Sequence, residues 1–126
     1  MPSRVKIFFD GGCRPNPGAM EIAVVVRGQA HILRDLGHGT SMDAEWLALI
    51  QALRIAQSLG EPDFVLVGDA AAVVAQANGA VKCRAAGLGH LQAFRALLPE
   101  EDLPRIRHIK RSQNLAGIAL ARLHSR

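Results

Sequence analysis

The apolar positions fall into blocks of two kinds. Residues 5–9 form a short apolar run that ends in Asp10-Gly11-Gly12, the pattern of a buried strand leading into a turn. The stretch from Cys13 through Arg14-Pro15-Asn16-Pro17-Gly18 reads as loop from its Pro and Gly content. Residues 21–26 and 30–36 read as a second and third strand, with Gly28-Gln29 as the hairpin turn between them. Three strands in a row on short links predict an antiparallel meander.

The period then becomes helical. Ser41 is the expected N-cap, and Asp43 and Glu45 fall in the first turn, where a helix favours anions. Trp46, Leu49, Ile50 and Leu53 follow at helical spacing. Ala48, Ala52 and Ala56 make a stripe of small residues that lets this helix lie close to a sheet, and Gly60 ends it. Residues 64–67 form a continuously apolar strand, as expected where both faces are covered. A helix over 70–77 and another over 88–98 come next. Residues 105–110 alternate as a half-exposed edge strand, and a last helix starts near Ser112. The order is β-β-β-α-β-α-α-β-α, an α/β fold with a mixed five-stranded sheet: three antiparallel strands, then crossovers, flanked by helices.

Composition narrows the picture. The 126 residues contain no repeat, linker or low-complexity tract, so residues 1–126 read as one domain. From Arg105 onward there are six Lys or Arg and no carboxylate, a distribution that suits either a polyanion partner or a solubilising face. The two cysteines lie far apart with no CxxC, so neither a disulfide framework nor a zinc site is expected. The opening MPSRVKIFFDGG turns acidic and glycine-rich too early for a signal peptide, and no apolar run has membrane-spanning length. A cytoplasmic protein without membrane contact is expected.

Candidate chemistry comes from three carboxylates. Asp10 ends the first strand and Asp69 the fourth. A strand-helix-strand crossover makes those two strands parallel, so their carboxyl ends reach one edge. Glu45, in the first turn of the crossover helix, reaches that edge too. Three carboxylates there need a counter-charge, and a hard divalent cation such as Mg²⁺ supplies it. Singly, each has a plainer reading: Asp10 as a turn residue, Glu45 as a dipole partner, Asp69 as a cap.

The motifs carry a resemblance. Phe9-Asp10-Gly11-Gly12-Cys13 followed by Asn16-Pro17-Gly18 resembles the opening motif of bacterial type 1 ribonucleases H, (Y/T)DG(S/A)xxxNPG. Thr40-Ser41-Met42-Asp43-Ala44-Glu45 resembles that family's TNNxAE, Val65 to Asp69 its third-carboxylate strand, and Asn114 to Ala121 its last-helix signature NxxADxLA. The likeness implies a ribonuclease H-like fold and cleavage of the RNA strand of RNA–DNA hybrids with Mg²⁺ or Mn²⁺ on Asp10, Glu45 and Asp69. It further implies nucleic-acid contacts from Gly11, Gly12, Cys13, Asn16, Ser41, Met42, Lys110, Arg111 and Asn114. Recognition of ribose 2′-hydroxyls suits such a partner.

The departures from the family pattern are informative. The fourth metal-binding aspartate aligns with Ile118, or with Gly117 if the register slips by one. Ser41 and Met42 replace two asparagines. The loop carrying a catalytic histidine is missing, and His108 and His124 read as surface residues. Asn114 is the one neighbour able to offer an oxygen in place of the lost aspartate, and Lys82 and Arg84 are candidates for phosphate contact. Three readings follow: an attenuated two-metal nuclease, a nucleic-acid-binding domain that does not cut, and a protein-interaction module.

Overall fold

The computed structural model describes residues 4–99 and 103–124. Its elements are β1 (Val5–Arg14), β2 (Gly18–Val26), β3 (Gln29–Leu33), β4 (His38–Gly39), α1 (Ser41–Leu59), β5 (Phe64–Gly68), α2 (Ala71–Ala77), α3 (Ala85–Ala96), β6 (Arg105–His108), a 3-10 turn (Arg111–Gln113) and α4 (Leu115–His124). The main path of the sheet runs β3-β2-β1-β5-β6, with the two-residue β4 added against β2. β1 and β2, and β2 and β3, pair antiparallel, whereas β5 lies parallel to β1 and to β6. The mixed sheet of three antiparallel strands followed by crossovers is therefore as expected.

The two sheet faces are covered unequally. Ile7, Phe9, Ile22 and Val24 point to the face covered by α1, where Trp46, Leu49 and Leu53 complete a large core with α2 and α3. On the other face Ala23 and Val25 meet Ala116 and Leu120 of α4 in a small cluster. The alternation along β1 and β2 thus sends alternate residues to different helices.

Several boundaries differ from expectation, each for a physical reason. β1 does not stop at Phe9: it continues through Asp10 to Arg14, paired with β2 from Asp10↔Ala23 to Arg14↔Ala19. Gly11, which suggested a turn, serves close packing instead, because a Cβ there would lie 2.2 Å from the Ala44 carbonyl oxygen, whereas Gly12 faces open space. The N-cap of α1 is Thr40 rather than Ser41. Its side chain accepts from Asp43 N, and the Asp43 carboxylate reaches back to Thr40 N, closing a capping box. α3 starts three residues before the expected Leu88. β6 ends at His108 rather than Lys110, and a 3-10 turn precedes α4, which begins at Leu115.

Candidate active site

The site is built from the ends of parallel strands. β1 and β5 pair from Val5↔Phe64 to Phe8↔Val67. Continued by two residues, that register sets Asp10 beside Asp69, just past the last residue of β5. α1 begins directly over β1 at Gly11, and this close approach delivers Glu45: its Oε1 accepts a hydrogen bond from Gly11 N at 3.0 Å. One ligand oxygen from each of Asp10, Glu45 and Asp69 lies within 4.8 Å of the others. They form the floor of an open cleft of about 780 Å³.

At such separations two like charges repel by about 3–4 kcal/mol at an effective dielectric constant near 20. The protein carries that repulsion as raised pKa values. Burial pushes the Asp10 carboxyl above its ordinary range; the charge of Asp69 adds to the rise, while Glu45 and the Arg111 guanidinium oppose it. Glu45 is pushed up further, first by burial and then by the charge of Asp10. The second oxygen of Glu45, Oε2, is buried without a hydrogen-bond partner. An unpartnered buried carboxylate oxygen beside two more carboxylates is the donor set a hard divalent cation fits. Asp10, Glu45 and Asp69 are the residues that would hold it.

A pH dependence follows. An acid whose pKa is raised by folding ionises more readily in the unfolded chain. Stability of the metal-free fold is therefore full below the ordinary carboxyl pKa of about 4 and is lost as pH climbs through the raised values. Melting temperature in chelator should fall from about pH 5 to about pH 8. Mg²⁺ or Mn²⁺ should raise it most at the alkaline end, where protons no longer compete for the carboxylates. A metal effect equal at both ends would show that the three groups do not share a cation.

Around the floor stand the other expected residues. Gly11, Gly12, Cys13, Ser41, Met42, Lys110 and Arg111 all line the cleft. Asn16 stands at its rim, locked to the start of α1: its amide nitrogen donates to Ser41 Oγ at 3.0 Å and its oxygen accepts from Ser41 N at 3.1 Å. Lys82 and Arg84 border a separate, smaller depression.

Three expectations are corrected. Asn114 is fully buried, so it does not face a ligand in the cleft. Its amide nitrogen donates to the Phe9 carbonyl at 3.0 Å and lies 3.4 Å from Asp69 Oδ1, while its oxygen accepts from Ala116 N. It caps α4 and steadies Asp69. The α4 position that faces Asp10 is Gly117 rather than Ile118: a Cβ at Gly117 would sit 3.5 Å from Asp10 Oδ2, whereas Ile118 is 40% exposed and outside the cleft lining. His124 is not a free surface residue, since its Nε2 lies 2.8 Å and 2.9 Å from the two carboxylate oxygens of Glu21. His108 is exposed and borders the cleft.

The Glu21–His124 pair, also in the cleft lining, was missed in the sequence. The available signal was parity: Glu21 shares its sheet face with Ala23 and Val25, an acidic group at an inward position.

A mixed sheet with acidic groups gathered at the ends of its parallel strands is the architecture of a known class, and the comparisons agree. The profile of a family described as reverse transcriptase-like matches residues 8–124. Ribonuclease HI of Halobacterium salinarum is 36% identical over 124 residues, which cover 94% of this chain and 62% of that protein. The chain therefore spans 62% of the length of this curated relative. The crystal structure of the ribonuclease H1 of Halobacterium salinarum superposes with a TM-score of 0.81 at 33% identity, covering 94% of both chains. The LC11 ribonuclease H1, solved in complex with an RNA/DNA hybrid, superposes with a TM-score of 0.78 at 27% identity, covering 97% of this chain and 100% of that one. The chain belongs to the ribonuclease H-like family. No helix among the described residues is long and apolar enough to cross a membrane.

Proposed function

We propose that this protein hydrolyses the RNA strand of RNA–DNA hybrids in the cytoplasm, using divalent cations held by Asp10, Glu45 and Asp69, at a rate reduced by the bare backbone at Gly117. The observation that carries the reading is the set of three carboxylates within 4.8 Å of one another on the floor of an open cleft. Family membership and the hybrid bound to LC11 ribonuclease H1 support the choice of substrate.

The chain's own residues divide the work. Mg²⁺ or Mn²⁺, when bound, supplies an activated water and stabilises the leaving oxygen of the phosphodiester. Asp10 interacts with both Glu45 and Asp69 and would hold a cation together with them. Gly12, where a Cβ would meet nothing within 4 Å, leaves the β1 backbone open to the approach of a sugar-phosphate chain. The Asn16–Ser41 lock and the exposed Met42 present the start of α1 to the minor groove. Lys110 and Arg111 set positive charge at the rim, where it neutralises phosphates without competing for the carboxylates. Arg111 is close enough to Asp10 to ease its ionisation.

A second reading, a domain that binds hybrids without cutting them, is favoured by one observation, the absence of a side chain at Gly117 facing Asp10. A labelled hybrid separates the two. The expected result is cleavage of the RNA strand in Mn²⁺ or Mg²⁺, none in chelator, and none of a DNA duplex. Salt-sensitive binding with no cleavage at any metal concentration would establish the second reading instead.

A further inference from the structure

Glu21 and Asn114 are the buried polar residues of the described chain, and Asn114 has a structural task. Glu21 needs an explanation. A carboxylate only 8% exposed is costly unless paired, and its partner is His124 Nε2, within 2.9 Å of both oxygens. The pair could simply fasten the end of α4 to β2. Its location argues for more, because Glu21 and His124 both line the cleft that holds Asp10.

The strand register fixes where. Glu21 lies opposite Gly12 and Ala23 opposite Asp10, so Glu21 stands two residues along the sheet from Asp10, on the α4 side. That is about 7 Å at strand rise. On α4, His124 is seven residues from Gly117, about 10 Å along the helix and on the same face. Gly117 and Gly12 present no side chain to the space between. Both backbone spans exceed hydrogen-bond reach. They match roughly two to three nucleotides of rise along one strand. With Nε2 engaged by Glu21, Nδ1 has no protein partner among the described residues. The other charged or titratable groups lining the cleft are Cys13 and Arg14 from β1, the carboxylates of Asp10, Glu45 and Asp69, His108, and Lys110 and Arg111 ahead of α4.

We propose that His124 is a substrate-contacting residue: as an imidazolium it holds a backbone phosphate two to three nucleotides from the scissile bond, and Glu21 positions it. This rests on the hybrid-nuclease reading, which it deepens by adding a subsite.

The test measures hybrid binding against salt at about pH 6 in the Asp10→Asn protein, which keeps the substrate intact. Each phosphate contact adds a slope of about 0.9 to log K against log salt, so losing one weakens binding about eightfold at 0.1 M salt. His124→Gln keeps a donor for Glu21 without the charge and should flatten the slope by about that amount. His124→Arg keeps both and should retain it. In the cutting enzyme His124→Gln should raise KM and leave kcat little changed. Independently of any His124 variant, bound hybrid should protect His124 of the Asp10→Asn protein from diethyl pyrocarbonate, read by mass spectrometry. Unchanged slopes with a lowered melting temperature, or no protection, would reduce the pair to a structural tie and overturn the proposal alone. Absence of any salt-dependent hybrid binding would overturn the hybrid reading as well.

Discussion

Asp10→Asn is expected to slow hybrid cleavage by about two to three orders of magnitude while making the metal-free protein harder to melt. The two effects have one cause. Asp10 contributes an oxygen to a cluster that lies within 4.8 Å, and it is the neighbour whose charge most raises the pKa of Glu45. Metal assistance supplies several kcal/mol of transition-state stabilisation, so losing one ligand should cost two to three orders of magnitude in rate, at about 1.4 kcal/mol per tenfold. Without the cation, the same substitution removes one of three mutually repelling charges. Relief of about 1–2 kcal/mol near pH 8 corresponds to a rise of roughly 3–8 °C in melting temperature for a domain of this size. Cleavage assays and thermal melts in chelator check both halves. A variant that cuts within tenfold of the parent, or that melts lower at that pH, would mean that Asp10 does not share charge with Glu45 and Asp69.

Gly117→Asp should act in the opposite sense on both counts. Its Cβ would stand 3.5 Å from Asp10 Oδ2, an ordinary contact that requires no rearrangement. A fourth carboxylate there attracts a divalent cation twice as strongly as it would a unit charge at the same distance, and should raise metal affinity by at least about tenfold. We expect cleavage at lower Mg²⁺ concentration and a faster limiting rate, with a lower melting temperature in chelator because a fourth like charge joins the cluster. Ile118→Asp is the comparison, and a smaller gain is expected because Ile118 is 40% exposed and outside the cleft. Titration of rate against Mg²⁺ for the two variants decides the position. A larger gain at 118 would put the lost ligand where the spacing of the NxxADxLA signature places it.

What the sequence disclosed, and what it hid, follows from the range of the interactions involved. Strand and helix periods locate α1, β5 and the antiparallel meander because burial of one face is written residue by residue. The three carboxylates were legible because Asp10 follows the part of β1 that pairs with β5, Asp69 follows β5, and Glu45 lies near the start of α1, positions that chain topology gathers. The run Asp10-Gly11-Gly12-Cys13 was misread as a turn because glycine signals a missing side chain without saying why it is missing. For Gly11 the reason is the Ala44 carbonyl, 33 residues further along the chain and next to Glu45, and no local pattern reports it. Thr40 and Ser41 are both good caps, and the choice between them rests on which can close a box with Asp43. The phase of α4 was the hardest. Asn114 acts as its cap through a buried hydrogen bond to Ala116 N, and a shift of one residue in such a helix exchanges Gly117 for Ile118 at the cleft. Glu21 and His124 are 103 positions apart, so their meeting left no trace beyond one acidic residue of unusual parity.

The unequal cover of the two sheet faces gives the cleft one stiff jaw and one compliant jaw. The jaw bearing Glu45 belongs to a helix seated in the main core, with Trp46, Leu49 and Leu53 all but excluded from solvent. The jaw bearing Gly117 and His124 rests on a patch of four buried residues, Ala23, Val25, Ala116 and Leu120. Local opening draws on the least-buried contacts first. Local opening at the cleft is therefore expected at α4 before α1, and hydrogen exchange should show α4 amides less protected than those of α1.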